Sequence, residues 1–183
     1  MANIVIVTGS PTPSSRTLGI ATHLKESLIG QGHQVDEIDV RELPPADLVF
    51  ASFDSPAIKQ THKLVDAADA VIVITPVYKA AYTGLLKIFL DLMPQNALEG
   101  KVVWPLAIGG TLTHLLMIDY ALKPVLSTLG AEHIIKGVYI LDTQVKWHEQ
   151  GKVYLAEEVE KRIEKSLNDF SQAIASHRQV VYK

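Results

Sequence analysis

Short runs of β-branched and aliphatic residues alternate along this chain with longer stretches in which apolar positions recur every three or four residues. The first run, Ile4-Val5-Ile6-Val7-Thr8, is apolar without alternation, as suits a parallel strand covered by helices on both faces. A helix is predicted from about Arg16 to Ile29, ended by Gly30 and Gly32, and a second strand from Val35 to Val40. Pro44-Pro45 breaks the chain; Ala46 to Ser55 reads as a loop or short helical piece, and Pro56 opens a helix to about Ala68. Val71 to Thr75 is the third strand. A helix from about Gly84 to Met93 stops at Pro94, Val102 to Ile108 forms the fourth strand, and Gly109-Gly110-Thr111 turns into a helix with room to reach Leu129 before Gly130. Ile134 to Leu141 is the fifth strand. Leu155, Val159, Ile163, Leu167, Phe170 and Ile174 then recur at spacings of four and three, with Glu157, Glu158, Lys161, Arg162 and Lys165 between them, predicting a final helix packed on one side.

Five strands alternating with helices imply an α/β fold with a doubly wound parallel sheet, helices on both faces and the flavodoxin-like order 2-1-3-4-5. Right-handed crossovers then bring the loops after strands one, three and four to one rim, where such sheets bind ligands. With 183 residues the chain is expected to form a single domain over residues 1–183. It has no cysteine, which excludes a disulfide framework, a thiolate nucleophile and cysteine-ligated metal. A formal charge of −3 and the lack of a Lys/Arg cluster argue against nucleic acid or a membrane surface as partner and leave room only for a local anion site. No run approaches the roughly 20 apolar residues that span a bilayer, and Met1-Ala2-Asn3 carries no basic leader, so a cytoplasmic protein is expected.

The rim loops carry the chemistry. Ser10, Thr12, Ser14, Ser15 and Thr17 place five hydroxyls at the start of a helix whose free N–H groups favour an anion, and Arg16 adds a positive charge. The same residues also fit plain helix capping with Pro11 and Pro13 stiffening the turn, for which one hydroxyl would do. Neither the Gly-Lys-Ser/Thr of a P-loop nor GxGxxG is present, so a single phosphate fits better than a triphosphate or a dinucleotide pyrophosphate. Pro76 fixes its own φ, while Val77, Tyr78 and Lys79 keep their N–H groups for the edge of a planar heterocycle and Tyr78 offers an aromatic face. Gly109-Gly110-Thr111 allows close backbone approach, and His114 follows as either a ligand contact or a solvent-facing residue of the first helical turn. One loop for a phosphate and two for a ring together describe FMN better than any other common cofactor. The seven histidines form no metal-binding pair with a carboxylate, and no metal is expected. Ser14 and Ser15 lack the Gly-x-Ser-x-Gly elbow of an esterase.

Gly9-Ser10-Pro11 with Ser15-Arg16-Thr17, then the stretch from Thr75 through Tyr78-Lys79-Ala80-Ala81-Tyr82-Thr83 to Gly84 with Leu86-Lys87 and Leu90-Asp91, then Gly109-Gly110-Thr111, resemble the NAD(P)H-dependent FMN reductase family. Phe53-Asp54-Ser55-Pro56-Ala57 and the stretch from Asp119-Tyr120 to Val125-Leu126 are similar to the subgroup that supplies reduced FMN to alkanesulfonate monooxygenases. The similarity runs from the first strand to about Gln144; downstream of Val145 only a generic helix is legible. It implies FMN at the carboxyl rim, hydride transfer from NADPH or NADH, assembly into homodimers or homotetramers through the helices after strands three and four, and a flavin-dependent monooxygenase partner in sulfonate-sulfur assimilation. By the same resemblance Ser10, Ser15, Arg16 and Thr17 correspond to the phosphate loop, Pro76 to Lys79 to the isoalloxazine loop, and Gly109 to Thr111 to the loop on the ring's other edge. Thr12 stands where many members carry Arg.

In that subgroup a tyrosine in the helix matching Tyr120 accompanies a π-type bulge at a subunit interface. Pro124 lacks the N–H that would bond to the carbonyl of Tyr120, so the sequence itself predicts a disrupted ladder there. A tuning role of Tyr120 in flavin retention and an ordinary aromatic interface contact both follow. Hydride transfer needs no obligatory acid or base, so no catalytic side chain is assigned. Lys79 suits either the phosphate of NADPH or solvent. An FMN-containing quinone, azo-dye or metal-ion reductase shares these features, as does a flavodoxin-type electron carrier in fold, although such carriers are more acidic. A binding module without flavin leaves three rim loops unexplained.

Overall fold

A computed structural model of the chain describes residues 1–148 and 152–181. Strand β1 (Asn3–Thr8) pairs in parallel with β2 (Gln34–Asp39) on one side and with β3 (Ala70–Tyr78) on the other. Beyond β3 lie β5 (Val102–Gly109) and, parallel to it, two short pieces, β6 (His133–Ile134) and β7 (Val138–Leu141). With β6 and β7 sharing the fifth place, this is the 2-1-3-4-5 order that the alternation predicts.

Side-chain alternation sends the sheet's apolar residues to two layers. Ile4 and Ile6 of β1, Ile72 and Ile74 of β3, and Trp104 and Leu106 of β5 pack under α1 (Arg16–Gly30) and α6 (Glu157–Val181). Val5, Val7, Val71, Val73 and Val103 face the other way, under α2 (Pro45–Val49), α3 (Pro56–Asp66), α4 (Gly84–Asp91) and α5 (Lys123–Thr128). On α6, Val159, Ile163, Leu167, Phe170 and Ile174 are all buried, and the rings of Phe170 and Trp104 meet at 5.4 Å. Each such fully buried side chain contributes on the order of 1.5–3 kcal/mol.

Four expectations are corrected. The sheet is not purely parallel: β4 (Ala81–Tyr82) folds back on the end of β3, pairing Val77 with Tyr82 and Tyr78 with Ala81. The two residues between, Lys79 and Ala80, both take positive φ (50° and 67°), as a tight hairpin turn of the right twist demands. Second, the fifth strand is broken at Ile135–Gly137; a side-chain carbon on Gly137 would stand 2.6 Å from Ile118, so the chain needs glycine to bend past that residue.

Third, the helix expected from Gly110 towards Leu129 is not continuous, and the ladder disruption read from Pro124 is present within it. A 3-10 turn (Leu112–His114) and a π turn (Ile118–Leu122) precede α5. The cause is Pro124: with no N–H to offer Tyr120, the ladder slips, and the Lys123 N–H bonds to Ile118, five residues back. Fourth, Leu155 belongs to a strand, β9 (Val153–Leu155), antiparallel to β8 (Val145–Trp147). Leu155 packs on the same core as α6, which is why its spacing from Val159 mimics a helical period.

Candidate functional site

The first loop is held by its neighbours before any ligand is considered. The Gly9 N–H bonds to the Ile74 carbonyl at 2.9 Å, and the Thr83 hydroxyl donates to the Gly9 carbonyl at 2.6 Å while accepting the Leu86 N–H to cap α4. A side-chain carbon at Gly9 would lie 2.6 Å from Leu86 Cβ, so glycine here admits α4 against the strand end. Ser10 is buried, with its hydroxyl 3.2 Å from that of Thr12, and Ser15 caps α1 by accepting the Leu18 N–H at 3.2 Å. Thr17 is buried in the first turn.

Arg16 is anchored from an unexpected direction. Its Nε donates to the carbonyl of Val145 at 2.9 Å, tying the start of α1 to the β8–β9 hairpin. That hairpin lies hard against α1: a side-chain carbon on Gly19 would stand 2.2 Å from Val153 Cγ1. Of the five guanidinium N–H groups the one on Nε is spent this way, and among the described residues the terminal nitrogens are not, which leaves four donors able to meet an anion.

Ser10, Ser14, Ser15, Arg16 and Thr17 meet Pro76, Val77, Tyr78, Gly109 and Gly110 around one cleft of about 330 Å³. Its size lies at the lower end of the range typical of small-molecule sites. One end carries hydroxyls, the helix N-terminus and a guanidinium; the other has apolar walls from Val77 and Ile108, with Tyr78 half exposed at 49%. Thr12, Ile108, Asp142 and Trp147 also line it. Trp147 comes from β8, where the Val-x-Trp and Val-x-Leu alternation on either side of Gln150-Gly151 was the available sequence signal. Asp142 follows the end of β7, a carboxyl-edge position where ligand contacts concentrate.

Lys79, Thr111 and His114 do not line this cleft. Lys79 is exposed in the β3–β4 turn, and His114 is half buried in the 3-10 turn. Thr111 is used internally: its hydroxyl accepts the Thr113 N–H at 3.2 Å and its carbonyl accepts the Tyr139 hydroxyl at 2.6 Å. Burial pushes the Tyr139 phenol above its ordinary value, and the Asp142 carboxylate pushes it the same way, so the group stays protonated and donating. Tyr120 is 79% exposed on the π turn. No group of three His, Asp or Glu among the described residues is placed to hold a metal ion, and no described helix is long and apolar enough to cross a membrane.

Residues 2–146 match the family described as NADPH-dependent FMN reductase. The chain belongs to this family. An FMN reductase (NADPH) of Escherichia coli is 44% identical over 179 residues, covering 97% of this chain and 92% of that protein. An FMN reductase (NADPH) of Pseudomonas putida is 42% identical, covering 94% and 88%. Among solved structures, the apo form of an NADH:FMN oxidoreductase superposes with a TM-score of 0.85 at 33% identity, covering 94% of this chain and 90% of that one. As a member of this reductase family the chain is an oxidoreductase that uses FMN and a reduced nicotinamide dinucleotide.

The cleft suits FMN in its donor set as well as in its walls. A phosphate calls for convergent donors and positive charge, present in the buried Ser10 hydroxyl, the α1 terminus and Arg16. A flat ring calls for close backbone approach, and Gly110 leaves it open: a side-chain carbon there would find only the Asp142 carboxylate, at 3.7 Å.

Proposed function

We propose that this protein binds FMN with its phosphate among Ser10, Ser14, Ser15, Arg16 and Thr17 and its ring between Pro76–Tyr78 and Gly109–Gly110, and delivers reduced FMN to a flavin-dependent monooxygenase that releases sulfur from sulfonates. The observation that carries the reading is the convergence of three separate rim segments on one cleft, polar at one end and apolar at the other. FMN, when bound, supplies the hydride-accepting chemistry; the chain supplies position. Arg16 and the hydroxyls hold the anion, the Tyr139 bond fixes the Gly109–Thr111 turn, and the Thr83 bond to Gly9 fixes the phosphate loop relative to α4.

The monooxygenase assignment draws on the likeness of Asp119–Leu126 to the alkanesulfonate subgroup, reinforced by the π turn at Ile118–Leu122. Single-domain organisation, a cytoplasmic location and self-association into dimers or tetramers belong to the same reading. Leu112, Leu115, Leu116 and Tyr120 are exposed large apolar residues on the segment after β5, which favours assembly through that segment. An azo-dye or quinone acceptor is the second reading, favoured by an NADPH azoreductase of a Bacillus species that is 31% identical over 58% of the chain.

The test is direct. The purified protein is assayed for flavin content and for NADPH and NADH oxidation with and without added FMN. Oxidation that depends on FMN, with sequential kinetics, supports the reductase reading. Tight FMN with ping-pong kinetics toward a quinone or azo dye supports the second, and failure to bind FMN overturns both.

A further inference from the structure

A second cleft, about 490 Å³ and so larger than the flavin cleft, runs along the outer edge of the sheet. It is lined on one side by Ile135 to Tyr139, where the fifth strand breaks, and on the other by Arg162, Lys165, Ser166 and Asp169 of α6, with Leu115 at one end. The four α6 residues stand at i, i+3, i+4 and i+7 and so share one helix face. Lys136 completes a lining of three cations against one carboxylate in a chain whose formal charge is −3.

None of these cations is in ion-pair contact among the described residues, although Asp169 lines the same cleft. Lys25, Arg41, Lys59, Lys87, Lys123, Lys152 and Lys161 each have a carboxylate oxygen within 4.0 Å. Lys136, Arg162 and Lys165, like Arg16, Lys63, Lys79, Lys101 and Lys146, have none among the described residues, and they alone of that group gather at one cleft in threes. The contrast is sharpest within α6, where Lys161 pairs with Glu157 at 2.5 Å while Arg162 and Lys165, three residues apart on one face, repel each other. Two like charges and a third facing them across a cleft are stabilised by an anion between them, and Ser166 adds a hydroxyl donor. Tyr139 links the two clefts indirectly: it lines this one, and its hydroxyl bonds to the turn whose Gly109 and Gly110 line the first.

We propose that this edge cleft binds a phosphate-class oxyanion carried by a ligand other than the flavin, held by Lys136, Arg162, Lys165 and Ser166. Two sources share that chemistry. One is the 2′-phosphate of NADPH, which rests on the reductase reading above; the other is a free phosphate-type ion, which does not.

The test uses the full chain saturated with FMN, so that the phosphate end of the first cleft is filled. Inorganic phosphate and 2′,5′-ADP are titrated calorimetrically into wild type and into the triple variant Lys136→Gln, Arg162→Gln, Lys165→Gln, and KM is measured for NADPH and NADH. Wild type is expected to bind at least one probe at least ten-fold more tightly than the variant, with affinity falling as salt is raised. If the source is the 2′-phosphate, KM for NADPH rises about ten-fold in the variant and KM for NADH stays within two-fold. If the source is a free ion, phosphate binding is lost and both KM values hold. Equal binding of both probes by wild type and variant, or no binding by wild type, overturns the proposal. FMN affinity is read in the same samples: an unchanged value in the variant separates this cleft from the flavin site. Failure of wild type to take up FMN counts against the reductase reading alone, and the phosphate titration then decides the edge cleft by itself.

Discussion

The Tyr139 hydroxyl oxygen stands 2.0 Å from the point where a side-chain carbon would begin on Gly109, and donates from there to the carbonyl of Thr111. Gly109 is thus the space in which a buried tyrosine holds the third rim turn in place. Gly109→Ala forces the ring or the turn aside. It is expected to cost about 1–3 kcal/mol of stability, as overpacking does, and to weaken FMN binding at least ten-fold. Gly110→Ala, whose new carbon meets only a carboxylate oxygen at 3.7 Å, leaves the melting temperature near that of wild type. Thermal melts and FMN titrations of the two variants check both expectations, and equal melting temperatures would dismiss the packing argument.

Removing the hydroxyl instead of crowding it gives a different signature. Tyr139→Phe deletes one hydrogen bond and is expected to cost about 1 kcal/mol. Because burial, aided by Asp142, raises the phenol above 10.0, its protonated form is favoured by folding. The associated stability is present in full below the ordinary value and is lost as pH climbs through the raised one. Denaturant unfolding between pH 8 and 11 should therefore show the gap between wild type and Tyr139→Phe narrowing above about pH 10. A gap that is constant across that range would contradict the assignment.

In the proposed site, Arg16 is the residue that distinguishes anion binding from ring binding. Arg16→Ala removes both the charge and the tie to Val145, and charge-assisted bonds are worth roughly 1.5–3 kcal/mol. FMN affinity is expected to fall about ten-fold or more, while riboflavin, which has no phosphate, binds the variant as it binds wild type. An equal loss for both flavins would mean that Arg16 acts only by bracing the hairpin.

Much of this was legible in the sequence because strand period, turn residues and helix caps are local signals. The unbroken apolar run of Ile4 to Val7, read as a strand covered on both faces, and the missing N–H of Pro124, read as a break in the helical ladder, each depend on a few neighbours. What escaped is long-range. Arg16 reaches Val145 across 129 positions, and Trp147 joins the cleft only because Gly19 lets the hairpin lie flat on α1. Gly109 shows the same limit: its lack of a side chain reads locally as room for a ligand, but the room is taken by Tyr139, thirty residues on.

The π turn offers the most discriminating variants. Pro124 has no N–H for the Tyr120 carbonyl, and Lys123 bonds five residues back to Ile118 in consequence. Pro124→Ala restores the missing donor, so the turn can tighten to α-helical pairing; losing one residue per turn there rotates Tyr120 by about 100° away from its present, 79% exposed position. If Tyr120 tunes how FMN is retained, Pro124→Ala and Tyr120→Ala should shift flavin affinity and FMN-dependent NADPH oxidation in the same direction, by several-fold. If the tyrosine is only an interface contact, Tyr120→Ala lowers the oligomeric state on size-exclusion chromatography and leaves flavin affinity and turnover unchanged, which would rule the tuning role out. The two readings diverge because retention depends on where the side chain points, whereas association depends on the apolar area it shares with Leu112, Leu115 and Leu116.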